Sequence, residues 1–407
     1  MNKRKRKIRA KGIMVVVLLL MNAMMLGLLG FYVVPTYKNE KLHANELNTL
    51  KEDEKKEEIV PNTAEFSFVG VGDNLIHEPI YYYAPKPYNF DSIYEYTNEY
   101  TKKADLAYVN AETIMAGEEF GLDGYPMFNG PVELVDALAH AGFDWVSVSS
   151  NHTLDRGVDG LQAQLKYMDE NFPEMSVTGS HRSKDEKPVV VNVNGIKVGL
   201  VGYTYGLNGM MLPAGDEWMI DMIDPDKIRE DMEALNEVSD VQIVSMHWGT
   251  EYRYDIEPEQ EKLTKLLNEL GAEVVIGSHP HIIKPVVLYE GEEQDTLVYY
   301  SLGNFISAQD AAETMIGGMA SFDLKYNFDT KETTFDNIKF IPTVTYASRD
   351  LHTFKTTTIH EYTDEMAQDQ WQMTRSGVLC DKAFVDNFVK KVMKGHEDKN
   401  IEVVYSE

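Results

Sequence analysis

Short apolar, β-rich runs that end in metal-ligating residue types constrain the fold of this chain more than any other feature. The runs are Phe66–Val71, Leu106–Asn110, Trp145–Ser149, Val241–Met246, Val274–Ile276 and Leu297–Ser301. Helical patterns at 131–141, 158–171, 225–237 and 258–270 alternate with them. Asp224-Pro225 and Glu257-Pro258 open the last two, because proline has the φ of a first helical turn and lacks only an N–H that has no partner there. Gly142 and Gly271 stand just past helix ends, where a left-handed residue closes the final turn. Val189–Val193 and Lys197–Val201 flank Asn194-Gly195, a tight hairpin turn. Alternation of this kind predicts an α/β domain.

In such domains the loops at the carboxyl ends of the strands converge on one crevice. Asp73 and His77 follow the first run, Asn110 and Glu112 the second, Asn151 and His152 the third, His247 the Val241–Met246 run, and His279 and His281 the Val274–Ile276 run. Neutral imidazole nitrogen suits zinc, manganese or iron, and carboxylate or amide oxygen completes such a site. The joint set Asp73, His77, Glu112, Asn151, His247, His279 and His281 suits two divalent metal ions (Mn, Fe or Zn) sharing a carboxylate, about 3.5–4 Å apart, as in phosphoryl and related ester hydrolysis. His152 can act as an acid or base beside them, with Asp155 orienting its ring. A simpler reading, compatible with this one, is an Asn/Asp turn with Asp155 capping the next helix. Taken singly, each histidine reads as an ordinary loop residue and each acid as a cap or surface charge.

Other chemistries are absent. A dinucleotide fingerprint starting at Gly70-Val71-Gly72 would need glycine at Leu75, and Asp73 would oppose a pyrophosphate. There is no P-loop, Gly-x-Ser-x-Gly elbow or His-Glu-x-x-His. Cys380 is the single cysteine, which excludes an intrachain disulfide and a cysteine-based zinc site. The net charge of −28 over 407 residues argues against a nucleic-acid partner.

The charge is segregated. Lys3, Arg4, Lys5, Arg6, Lys7, Arg9 and Lys11 make residues 1–12 a basic tail without an acid. Residues 13–35 carry no charge and are long enough to cross a bilayer. The basic flank predicts a cytoplasmic N-terminus and an extracellular remainder in a single-pass cell-membrane protein. A cleaved signal peptide needs a small-x-small site, and Tyr32-Val33-Val34-Pro35-Thr36 offers none. Residues 36–62, rich in Lys, Glu and Asn, read as a charged, solvated stalk.

Gly72-Asp73, Asn110-Ala111-Glu112, Asn151-His152-x-x-Asp155-x-Gly157-x-x-Gly160, His247-Trp248-Gly249-x-Glu251-Tyr252, Gly277-x-His279-Pro280-His281 and Tyr300-Ser301-Leu302-Gly303-Asn304-Phe305 together resemble the CapA family of poly-gamma-glutamate capsule synthesis proteins. The resemblance spans about residues 64–345 and implies a metallophosphoesterase-like four-layer αββα sandwich, preceded by one transmembrane helix. It implies one ion on Asp73, bridging Glu112, His281 and His77, and another on Glu112, Asn151, His247 and His279, with His152 protonating the leaving group. Three positions depart from the wider pattern: His77 is four residues from Asp73 rather than two, the bridging acid is Glu112 rather than Asp, and Ala111 replaces a common leucine. The domain is expected to cover 63–345, with 346–407 a C-terminal extension, helical over 364–395 and without an assigned role. The implied function is a metal-dependent hydrolase acting in synthesis of the capsule or a related envelope polymer, on an anionic polymer or phosphoester, beside other subunits of a synthesis complex. The alternative is a non-catalytic subunit of a polymer synthase and export complex with a structural or vestigial metal site.

Overall fold

The computed structural model describes residues 62–406. The basic tail, the anchor at 13–35 and all but the last residue of the stalk lie outside the described residues. Among the described residues no helix is long and apolar enough to cross a membrane.

The strands are β1 (Thr63–Asn74), β2 (Leu106–Asn110), β3 (Trp145–Ser147), β4 (Ser176–Thr178), β5 (Val189–Val193), β6 (Ile196–Thr204), β7 (Val241–His247), β8 (Val274–Ser278), β9 (Val286–Glu290), β10 (Asp295–Tyr299), β11 (Asn304–Ile306), β12 (Ile316–Asn327), β13 (Glu332–Ala347), β14 (Phe354–Thr358) and β15 (Ile401–Val403). The longer helices are α1 (Glu133–Ala141), α2 (Gly157–Asn171), α3 (Pro225–Asn236), α4 (Pro258–Glu269) and α5 (Lys382–Met393). Among the described residues the strands form a nine-stranded sheet, ordered β14-β13-β12-β1-β2-β3-β4 with β11 beside β1 and β15 beside β13, and a six-stranded sheet, ordered β5-β6-β7-β8-β10-β9. Neighbours β1 to β4 run parallel, as do β6, β7, β8 and β10.

Three apolar clusters define four layers. Phe68, Tyr108 and Trp145 of the larger sheet meet Val198, Ile243 and Ile276 of the smaller one between the sheets. Leu138 of α1 and Leu161 of α2 pack on the outer face of β1 to β3. Met232 of α3 and Leu267 of α4 pack on the outer face of β6 to β8. Each such fully buried side chain contributes about 1.5–3 kcal/mol relative to exposure. Polar contacts also cross the central layer: Tyr108 Oη lies 2.6 Å from Ser245 Oγ and joins β2 to β7, and Tyr299 Oη of β10 donates to Lys339 O of β13 at 2.9 Å.

The helix starts follow their chemistry. Asp224 Oδ1 accepts from Asp226 N at 2.8 Å at the head of α3, and Gln260 Oε1 accepts from Glu257 N at 3.2 Å at the head of α4. The limit set at 345 falls inside β13. Residues beyond it add β14 and β15 to the larger sheet, and Val385, Val389 and Val392 of α5 join the central core.

Candidate metal centre

The carboxyl ends of the parallel strands in both sheets meet, and one segment ties them together. Leu302 N donates to Gly277 O at 3.0 Å, and Asp73 N donates to Gly303 O at 2.8 Å. Residues 302–303 thus join the end of β8 to the end of β1. That approach requires glycine on both sides. A Cβ on Gly72 would stand 1.9 Å from Gly303 O, and one on Gly277 would stand 2.1 Å from Tyr300 O. The glycines beside the two ligand motifs are therefore packing requirements.

Glu112, just past β2, lies at the centre. It is fully buried, and neither carboxylate oxygen has a hydrogen-bond partner. His247 Nε2 lies 3.8 Å from Glu112 Oε1, and His281 Nε2 lies 3.7 Å from the same oxygen. Leaving an ionised carboxylate buried and unbonded costs several kcal/mol, so this arrangement calls for a proton or a cation.

The surrounding bonds aim lone pairs at that space. His247 Nδ1 sits 2.9 Å from Ser278 Oγ, and His247 Nε2 sits 2.8 Å from Asn151 Oδ1. Asn151 Nδ2 donates to Asn208 Oδ1 at 3.2 Å, which turns the Asn151 oxygen inward. His281 Nδ1 lies 3.1 Å from Asn304 Oδ1, while Asn304 Nδ2 donates to Gln309 Oε1 and to Thr314 O at 2.9 and 3.0 Å. With the proton of each ring on Nδ1, both Nε2 atoms would face a cation bound beside Glu112, and such a cation would take the place of the present contact between His247 Nε2 and Asn151 Oδ1. Asp73 accepts from Asn110 Nδ2 at 2.9 Å and from the backbone N of His279 at 3.2 Å. His279 and His281 have φ of +95° and +58°. Non-glycine residues held there store about 1–3 kcal/mol each, which the surrounding bonds must outweigh.

Burial holds His247 well below the usual histidine range and His279 down to about 3, so both rings are neutral at pH 7. Burial pushes Glu112 well up. Burial also works against charge on His281, but the Glu112 and Asp73 carboxylates outweigh it and lift that ring to about 9.

Two donor groups share Glu112: Glu112, His247 and His279, and Asp73, Glu112 and His281, each with ligand atoms within 4.8 Å of one another. With Asn151 beside the first, six of the residues singled out in the sequence come together. The donor set fits divalent metal. His77 stands outside these groups. Its Nδ1 accepts from Ala308 N at 3.2 Å, and its ring packs edge-on to Phe128 with centroids 5.1 Å apart.

His152 lies on the wall of an adjoining cavity of about 630 Å³, which His77, Phe128, Glu251, Tyr252 and Asp310 also line. Its Nδ1 is 2.7 Å from Asp155 Oδ2, which also accepts from Phe128 N at 2.6 Å. Asp155 is thus an orienting carboxylate for His152 and no helix cap, since the α2 N-cap position is Arg156.

The sequence-based assignment left Asn304, Ser278, Asn208 and Glu251 without roles. The segment Tyr300–Phe305 was the available signal for Asn304. The motif His247–Tyr252 was the signal for Glu251, while Ser278 and Asn208 meet His247 and Asn151 through contacts with distant segments.

The model of the bacterial capsule synthesis protein family PGA_cap matches residues 67–309. The chain belongs to that family. It is 26% identical over 254 residues to the PGA biosynthesis protein CapA of Bacillus subtilis (strain 168), covering 58% of this chain and 62% of that protein. It is also 26% identical over 250 residues to the capsule biosynthesis protein CapA of Bacillus anthracis, covering 59% of each. The match thus spans about three-fifths of the length of these curated relatives. Among solved structures, a phosphatase from Mycoplasma pneumoniae is similar over 69% of this chain and 94% of that chain, with a TM-score of 0.43 and 13% identity.

Proposed function

We propose that this protein is a dinuclear-metal-dependent hydrolase of metallophosphoesterase type, acting in synthesis of a poly-gamma-glutamate capsule or a related anionic envelope polymer. Residues 13–35 anchor it in the cell membrane with the domain outside, where it works beside other subunits of a synthesis complex. Glu112 carries the reading: it is a buried carboxylate with no hydrogen bond, placed between imidazoles whose second nitrogens are already engaged. Such a constellation favours a metal over a structural polar network, in which the carboxylate would be bonded.

Asp73, Glu112 and His281 would hold one ion, and Glu112, Asn151, His247 and His279 the other. Bound ions of this kind supply an activated water and neutralise charge on a phosphoryl group. His152 stands at the cavity wall with Nδ1 held by Asp155, which leaves Nε2 to deliver a proton to the leaving oxygen. Asp155 fixes the ring. Among the described residues the cavity lining contains no lysine or arginine.

The test is hydrolysis of alkyl phosphoesters, aryl phosphoesters and gamma-glutamyl peptides by the purified full-length protein and by His152→Ala. The expected loss is about 10²–10⁴ in rate on an alkyl ester, with a smaller loss on an aryl ester whose leaving group needs no proton. Absence of hydrolysis by the unaltered protein, with full polymer yield in cells carrying His152→Ala, would instead establish a non-catalytic subunit.

A further inference from the structure

We infer that Glu251 is a cavity-side ligand of the metal centre, completing the ion held by Asp73, Glu112 and His281. The inference rests on the metal-centre reading above. Glu251 forms a third donor group with His279 and His281, its ligand atoms also within 4.8 Å of one another. Each of those histidines belongs as well to one of the two groups that share Glu112. The two imidazoles therefore stand between a fully buried carboxylate and an exposed one on the cavity wall. His279 Nδ1 is buried and without a hydrogen-bond partner on a side chain only 2% exposed. That is a second unfilled donor at this place.

The two ions are unequally provided. The His247 side has an amide oxygen in Asn151 as well as Glu112 and two imidazoles. The Asp73 side has Asp73, Glu112 and His281. Asn304 Oδ1 is engaged by His281 Nδ1, and His77 Nδ1 is engaged by Ala308 N. Manganese or iron takes more than three donors, so the remaining positions fall to water or to a further side chain. Glu251 is placed for this. Trp248 N donates to Ser278 O at 3.1 Å, and Tyr252 N donates to Pro280 O at 2.8 Å. These bonds clamp the loop carrying Glu251 along the loop carrying His279 and His281. Thr250 N and Thr250 Oγ1 are held by the Glu257 carboxylate at 2.8 and 2.6 Å. An ordinary exposed glutamate has no such fixation on both sides.

The test is Mn(II) binding to metal-stripped full-length protein, measured by equilibrium dialysis and by electron paramagnetic resonance of the bound ion. The comparison is among wild type, Glu251→Gln and His77→Gln. The expected result is two ions in wild type and in His77→Gln, with one ion weakened about 10–100-fold or lost in Glu251→Gln. Two ions with unchanged affinities in Glu251→Gln would overturn the role of Glu251 and leave the two-ion reading standing. Loss of an ion in His77→Gln alone would move that role to His77. Wild type that binds no manganese would overturn both. None of these outcomes depends on turnover, so a protein that binds two ions and hydrolyses nothing still decides the question.

Discussion

Lys284 Nζ lies 2.8 Å from Glu257 Oε2 and 2.7 Å from Gln260 Oε1, beneath the loop that carries Glu251. The lysine side chain is wholly buried and that of Glu257 is 14% exposed. Through Thr250, the Glu257 carboxylate also holds the 248–252 loop, so this pair braces one wall of the cavity. Lys284→Met should cost on the order of 3–5 kcal/mol in urea unfolding, because it leaves a poorly solvated carboxylate with its Thr250 hydrogen bonds but no counter-charge. Adding Glu257→Gln should recover part of that loss. Burial works against charge on Glu257, yet hydrogen bonds from Lys284 and Thr250 hold its carboxyl down to about 2. A carboxyl lowered by folding stabilises above its unfolded value and loses that contribution as pH falls toward its folded value. The gap between wild type and Lys284→Met should therefore narrow as pH drops from about 4.5 toward 2.

Gly277→Ala should damage the metal centre without touching a ligand. Its new Cβ would meet Tyr300 O at 2.1 Å and Trp248 Nε1 at 2.7 Å, and the first of these is backbone that cannot swing aside. Overpacking of this severity costs about 1–3 kcal/mol or more. It should also displace residues 278–281. The check is chemical denaturation together with metal content, and both should fall. Gly121→Ala, with nothing within 4 Å of the added carbon, is a control for the space effect, although its φ of +73° still adds strain.

Glu273 gives a stability signature remote from the metal centre. Burial pushes its carboxyl up to about 8, against the pull of the Gln242 backbone N–H 2.6 Å away. The folded state then binds a proton that the unfolded state has released, so stability declines from the usual carboxylate range up to about pH 8 and levels off above it. Glu273→Gln should remove that slope and stabilise the domain by a few kcal/mol at pH 8, with little gain at pH 4. Thermal unfolding of both proteins at the two pH values measures it.

Much of the centre was legible because its residues interrupt apolar runs at strand ends. Asp73, Glu112, Asn151, His247, His279 and His281 needed no knowledge of strand order, since parallel strands deliver their carboxyl ends to one side. Local chemistry also located the Asn194-Gly195 hairpin and the starts of α3 and α4. The rest depends on contacts between distant segments. The expected helix over 364–395 is broken over 377–381, where Gly377 has a φ of +72°, and at Gln370, whose side chain accepts from Ala347 N at 2.8 Å and donates to Thr345 O at 2.8 Å. No local pattern announces those bonds. Lys284 reads as a surface charge until α4 covers it. Glu251 stands in the His247–Tyr252 motif, but its place beside His279 and His281 shows only once Tyr252 and Pro280 are joined.

The most direct measurement is the count of divalent ions per chain in wild type and Glu112→Gln after dialysis against Mn(II), with alkyl phosphoester hydrolysis followed on the same samples. Glu112 is the carboxylate shared by both donor groups, so one amide substitution should affect both ions. Two ions and turnover in wild type, with fewer than one ion and no turnover in Glu112→Gln, is the predicted result. Two ions retained by Glu112→Gln, or none bound by wild type, would contradict it.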